Sequence, residues 1–352
     1  MRLRFLCWPT LLLLLGLAVF AVPLRAQIDT GNGPLPVFEF HSGFWINLHH
    51  TLYQEARKQR GAGQGSDAAE KAPSLLSGLT NTEQRAWNEA VAYYGANLAG
   101  KDLLFAGDLV QLKDQLGDFE DCADLSGSKQ KFCNAGLDVK LTKILEAAAP
   151  VYRAHLWTAH DKANRRWVFG VAPLVRTQSV ALSQRLADIY QTHWPRYRIR
   201  VDITAYANWA GAYTTVDPLR VTIASTDPRN QGSAALEVLF HEASHGIAEP
   251  VEQAIIRECR QRDKAIPRDL WHALVFYTTG EVIRPIMAKA ANTAARDGAD
   301  SAAGPYKPYA MREGLYQRGW DRYLTLLTTF WQPYLDNQET FDDAIARMVS
   351  AL

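Results

Sequence analysis

His241, Glu242 and His245 stand in the order His-Glu-Ala-Ser-His. On a helix the four-residue step brings both imidazoles to one face, one turn apart. Two such nitrogens can grip a single metal ion, and zinc suits them best because it accepts neutral imidazole in a tetrahedral site. The carboxylate of Glu242 can then serve as base toward a water that the ion activates. Metal-dependent hydrolysis is therefore the chemistry expected of these residues. The plain alternative is a pair of packed or surface histidines on an amphipathic helix.

The elements that must position this motif are legible around it. Residues 234–240 are largely apolar and contain no Gly or Pro, as a buried helix presenting ligands into a cleft requires. Ala243, Ser244 and Gly246 are small enough to let other backbone or substrate approach. A catalytic zinc commonly has three protein ligands and leaves a fourth position to water, so a third donor must come from elsewhere. A metzincin would place Gly and His where this chain has Ala248 and Val251, which excludes that class. Glu249 and Glu252 follow His245 so closely that Pro250 would have to turn the chain back sharply. Glu281 lies in the apolar helical stretch 271–284, where an unpaired carboxylate would be costly and a metal would account for it.

A His-Glu-x-x-His helix, a connecting segment and a second helix with Gly280-Glu281 resemble the gluzincin, or thermolysin-like, zinc metallopeptidases. The resemblance covers residues 234–284. It implies zinc ligation by His241, His245 and Glu281, with Glu242 as general base. Where that family carries an Asp after its third ligand, this chain has Pro285, so another acceptor must orient the imidazoles. The family also commonly adds a Tyr or His that stabilises the oxyanion of the tetrahedral intermediate. Tyr306 and Tyr309, in a Pro-rich aromatic loop after the Glu281 helix, are candidates, and Tyr309 is preferred. Tyr277 and Arg284 share a helix face with Glu281 and could line the same cavity. His272 sits nine positions before Glu281, roughly the opposite side of a helix, and reads as structural.

Upstream, residues 197–203 and most of 219–225 alternate apolar and polar, the period of half-buried strands. They predict a small sheet leading into the metal helix, with the aromatic segment 205–213 capping a hairpin or shaping specificity. In zincins generally, an edge strand of such a sheet binds extended peptide by main-chain pairing. Thr80 to Glu83 has the capping-box pattern, and Trp87, Val91, Tyr94 and Leu98 follow at helical offsets. His41, His49 and His50 invite a second metal site, but Glu39 is the only acidic residue near them. Phe44, Trp45 and Leu48 are better read as anchoring a helix, with the imidazoles hydrogen-bonded or helping to wall the cleft.

The chain of 352 residues is long enough for a large core. Residues 1–26 resemble a secretory signal peptide with a basic start, an apolar centre and Ala26 before the cut, and an uncleaved anchor is the alternative. Removing them takes three of the 38 basic residues against 37 acidic ones, leaving no basic excess to attract nucleic acid. No stable membrane span is expected after cleavage. Cys122 and Cys133 could close a disulfide in an oxidising compartment or remain buried thiols. The fold expected is α+β and predominantly helical. It comprises a mainly helical lobe over residues 27–164 and a zincin-like lobe over 165–352, with a small β-sheet, the His-Glu-x-x-His helix and C-terminal helices.

Together these features predict an exported, periplasmic or extracellular zinc metallopeptidase acting on a peptide or protein. Two other readings stay open. One is a secreted binding or envelope protein using a zincin-like scaffold; the other is zinc-dependent hydrolysis of a non-peptide bond.

Overall fold

The computed structural model describes residues 37–62, 78–296 and 305–352. The proposed leader, residues 1–26, lies outside them. The described chain is mainly helical around a small mixed sheet, the predominantly helical α+β architecture expected. The sheet comprises β1 (Phe38–His41), β2 (Ile199–Thr204), β3 (Ala212–Val216) and β4 (Leu219–Ala224), in the order β1-β2-β4-β3. β1, β2 and β4 are parallel, and β3 is antiparallel to β4.

Two of these strands were anticipated, but their connection differs from the hairpin expected. β2 and β4 are parallel neighbours, with Asp202 opposite Thr222, so residues 205–211 cross over to β3 instead of capping a hairpin. The hairpin forms between β3 and β4. Ala-Tyr-Thr-Thr-Val is rich in β-branched and aromatic residues, and a two-residue turn at Asp217-Pro218 returns it to β4. β1, which the periodicity did not reveal, brings a strand from the N-terminal part of the chain to the other edge.

The two faces of the sheet differ. Ile199, Val201, Ile203, Val221 and Ile223 belong to an apolar core with α5 (Thr158–Ile189), α6 (Ser233–Ser244) and α8 (Leu270–Arg296). The alternate positions turn toward α1 (Phe44–Ala62), α2 (Asn81–Asn97), α3 (Gly107–Asp118) and α4 (Val139–Tyr152), whose own core takes in Tyr213 and Ala224. On that face, buried Lys113 donates to Thr215 Oγ1 at 2.7 Å, and His50 Nε2 lies 2.9 Å from the Tyr213 hydroxyl. Two cores thus lie on opposite faces of one sheet. The position 164/165, expected to divide two lobes, falls inside the continuous helix α5.

Local signals account for several elements. α2 begins with the expected capping box: Glu83 N–H donates to Thr80 Oγ1 at 3.3 Å, and Thr80 N–H donates to Glu83 Oε2 at 2.9 Å. Trp87, Val91 and Tyr94 are buried on one face of α2. Cys122 and Cys133 form a disulfide, whereas Cys259 is buried and free. Phe44, Trp45 and Leu48 anchor α1 in the N-terminal core. His49 Nδ1 lies 3.0 Å from the Tyr94 hydroxyl, and His41 Nδ1 lies 2.9 Å from Glu120. These imidazoles pack and hydrogen-bond as expected. His49 and His50 lie on the α1 side of the sheet, apart from His241 and His245 on α6. Among the described residues no helix is long and apolar enough to cross a membrane.

A buried amide ties the layers together at the C-terminal ends of β2 and β4. Asn164 of α5 donates to Ile203 O and Ser42 Oγ, both at 3.0 Å, and accepts from Ser225 Oγ at 2.6 Å. Asn47 of α1 donates to the same Ile203 carbonyl at 3.0 Å. Removing the Asn164 amide takes the acceptor from buried Ser225 Oγ and one donor each from Ile203 O and Ser42 Oγ. Asn164→Ala should lower unfolding stability by about 2–3 kcal/mol in urea titrations, and a loss within the error of such titrations would mean the bridge holds nothing together.

Candidate metal centre

α6 is buried from Ala234 through Ser244, so both faces of this short helix carry neighbours. Burial on all sides follows from its position between the sheet, α5 and α8. Its polar side chains must therefore find partners within the protein.

His241 and His245 occupy successive turns at the end of α6, and their Nε2 atoms lie 3.3 Å apart. The third donor comes from α8. His272, near the start of that helix, completes a group of three imidazoles whose ligand atoms lie within 4.8 Å of one another. Two nitrogens held at about 2.0–2.1 Å by one tetrahedral zinc lie roughly 3.3 Å apart, which is the spacing of the His241–His245 pair. Among the described residues this is the one such group of His, Cys, Asp or Glu side chains.

Glu281 does not join it. Instead Glu281 pairs with Arg284 on its own helix, and Arg284 also reaches Met311 Sδ at 3.7 Å. The physical reason is helical phase: nine residues turn a helix through two and a half turns, so the face that offers His272 to α6 directs Glu281 elsewhere. One rotation of α8 cannot offer both side chains to α6, and it is His272 that lies with His241 and His245. Tyr277 follows Glu281 away from the donors and donates to Gln332 Oε1 at 2.7 Å. Glu249 and Glu252 form the acidic first turn of α7 (Glu249–Gln261) and are not part of the donor group.

Aromatic rings hold the imidazoles in place. Phe276, one turn after His272, lies nearly flat on His241, with ring centroids 3.6 Å apart. Trp271 meets His245 edge-on at 5.6 Å, and Trp320 meets His272 at 5.5 Å. Burial lowers all three imidazole pKa values; neighbouring imidazoles lower those of His241 and His245 further, while Asp269 partly offsets the fall at His272. His245 falls to about 3 and His272 to about 4. All three are thus neutral near pH 7, the form that donates a lone pair to a metal. His241 Nδ1 is buried without a hydrogen-bond partner, so ring stacking on Phe276 stands where a carbonyl or carboxylate would usually orient a ligand histidine.

Glu242 meets the edge strand of the sheet. Thr214 Oγ1 of β3 lies 2.7 Å from Glu242 Oε2 and 2.8 Å from the Glu242 carbonyl. A hydroxyl has one proton and two lone pairs, so Thr214 can donate to an ionised carboxylate, or accept from a protonated one while donating to the carbonyl. Burial pushes the Glu242 carboxyl up to about 7, against the lowering effect of Thr214. Tyr309, at the start of α9 (Tyr309–Arg312), is buried and stacks on Phe276 at 5.7 Å with the rings nearly parallel. Its phenol is pushed up by burial, held down by Arg229, and raised by Glu313, Asp227 and Glu242. His241, Phe276 and Tyr309 therefore form one stack running from a donor imidazole to the aromatic loop.

Of the side chains gathered here, the sequence points to His241, Glu242, His245 and Tyr309 as candidates and to His272 as structural; Thr214 and Phe276 carry no signal in it. Comparison with protein-family models, with curated proteins and with solved structures returned no match.

Two measurements follow. Metal analysis of the purified protein after zinc loading should give one zinc per chain, lost in His272→Ala and kept in Glu281→Gln; the reverse pattern would restore the carboxylate as ligand. Thr214→Val should leave the zinc content unchanged and cost about 1–2 kcal/mol in urea unfolding, because the buried Glu242 carboxyl loses its hydrogen-bond partner.

Proposed function

We propose that this chain is a zinc-dependent hydrolase, most simply a peptidase, with His241, His245 and His272 as ligands and Glu242 as general base. The observation that carries the reading is a trio of neutral imidazoles, His241 buried with an unpartnered Nδ1 and the other two half-buried, beside a buried carboxyl on the same helix. A structural histidine cluster would have no use for that carboxyl. A bound zinc ion supplies Lewis acidity, making water acidic near neutral pH and polarising a carbonyl.

The chain's own residues do the rest. Glu242, poised near neutrality by burial, accepts a proton from the attacking water and returns it to the leaving amine. Thr214 keeps a hydrogen bond to Glu242 in both protonation states, so the carboxyl can cycle without losing its place. Tyr309 is the candidate donor to the oxyanion, being a buried phenol in the stack that begins at His241. Trp271, Phe276 and Trp320 limit water around the donors. The ligand set departs from the gluzincin pattern at the third position, so what this reading shares with that family is the His-Glu-x-x-His helix. An exported location is part of the proposal, supported by the leader-like residues 1–26 and by the Cys122–Cys133 disulfide.

Digestion of a peptide library by the zinc-loaded protein should yield cleavage that a chelator abolishes. Glu242→Gln should keep its zinc and lower turnover by about 10²–10⁴-fold. Full activity in that variant would remove Glu242 from the reaction.

A further inference from the structure

Glu237 sits on α6 one turn before His241 and is 1% exposed. Its position repeats the four-residue step of the ligands, so Glu237, His241 and His245 run along one side of the helix. A buried carboxylate normally needs a cation or several donors. Glu237 has donors, and all of them come from the aromatic loop before and at α9. The Tyr309 N–H lies 2.8 Å from Oε1 and 2.9 Å from Oε2, and the Tyr306 hydroxyl donates to Oε2. Arg312 adds a more distant favourable charge.

The fit beneath this latch is close. Gly280 of α8 faces it, and a Cβ there would lie 2.5 Å from Pro308 Cβ and 3.1 Å from Glu237 Oε1. Only a residue without a side chain lets α8, the loop and the Glu237 carboxylate meet. The loop is thus held twice. Glu237 fixes its backbone at Tyr309, and Phe276 fixes the Tyr309 ring.

We propose that Glu237 is a positioning residue: through the Tyr309 N–H it sets the Tyr309 phenol at the metal centre, where that phenol donates a hydrogen bond to the oxygen of a bound substrate. This rests on the hydrolase reading above and extends it to a residue that touches neither substrate nor ion. The buried carboxylate ties the loop to the ligand helix itself, so donor and ligands keep their relative places when either moves.

The test uses the full-length protein loaded with cobalt in place of zinc. Acetohydroxamate, a small chelating oxyanion, is titrated by visible absorption, and kcat and KM are measured on a peptide from the library digest. Tyr309→Phe should weaken acetohydroxamate binding about tenfold and lower kcat with KM unchanged. Glu237→Gln, near in shape but lacking the second acceptor oxygen, should keep one cobalt per chain and show the same two losses. The double variant should be no worse than either single one, since both act through one hydroxyl. Gly280→Ala, which changes no charge but pushes on Pro308 and Glu237, should move both readings in the same direction; if Glu237→Gln does not fold, this variant decides.

Wild-type acetohydroxamate affinity in the deciding variant, or losses that multiply in combination with Tyr309→Phe, would overturn the proposal. Cobalt binding without peptide cleavage would sink the peptidase reading alone, because acetohydroxamate titration still tests Glu237. Failure of the wild-type protein to bind cobalt would overturn both.

Discussion

A helix buried along its whole length cannot leave its polar side chains unpaired without cost, and α6 carries Glu237, His241, Glu242 and Ser244 within three turns. Three of them are paired. Glu237 accepts from Tyr306 and Tyr309, Glu242 meets Thr214, and Ser244 donates to the Phe240 carbonyl at 2.7 Å. His241 is the exception. One ring nitrogen is buried without a partner and the other faces His245. Burial keeps the imidazoles neutral, the form in which their lone pairs could serve a cation as the reading above proposes.

The surrounding architecture serves that helix. The sheet offers an apolar face to α5 and α6, so α6 lies against Val221 and Ile223 without needing polar partners from the sheet except at one point. That point is Thr214 on β3, whose side chain reaches the Glu242 carboxyl. Charged and hydroxyl groups collect on the opposite face with Lys113, His50 and Tyr213, where the helices α1 to α4 enclose them. Asn164 and Asn47 close the ends of the parallel strands by satisfying the carbonyl of Ile203. The sheet therefore separates a structural polar network from the donor site.

α8 has the complementary task. Its first turns bring His272, Phe276 and Gly280 against α6, at spacings of one helical turn, and each does something different: donor, ring support and clearance for the loop. The face carrying Tyr277, Glu281 and Arg284 is turned toward other neighbours. One helix thus supplies the third imidazole of the group and the gap through which the aromatic loop reaches Glu237.

Much of this was legible in the chain because it is local. Four-residue spacing placed His241 and His245 on one helical face, alternation marked β2 and β4, and the Thr80–Glu83 pair announced the start of α2. What is set by contacts distant in sequence was not legible. Whether α8 presents His272 or Glu281 depends on its rotation against α6, and both residues are plausible donors until the two helices are packed. β1 carries too few residues to show a period, and β3 was hidden in an aromatic segment that reads equally well as loop or strand. The sequence by itself determined the helix with two imidazoles and a carboxyl between them, since a single helical turn is enough to bring them together. Only the tertiary structure decided the third donor, the threonine on the carboxyl and the carboxylate under the loop, because each joins elements whose meeting is fixed by burial and not by spacing along the chain.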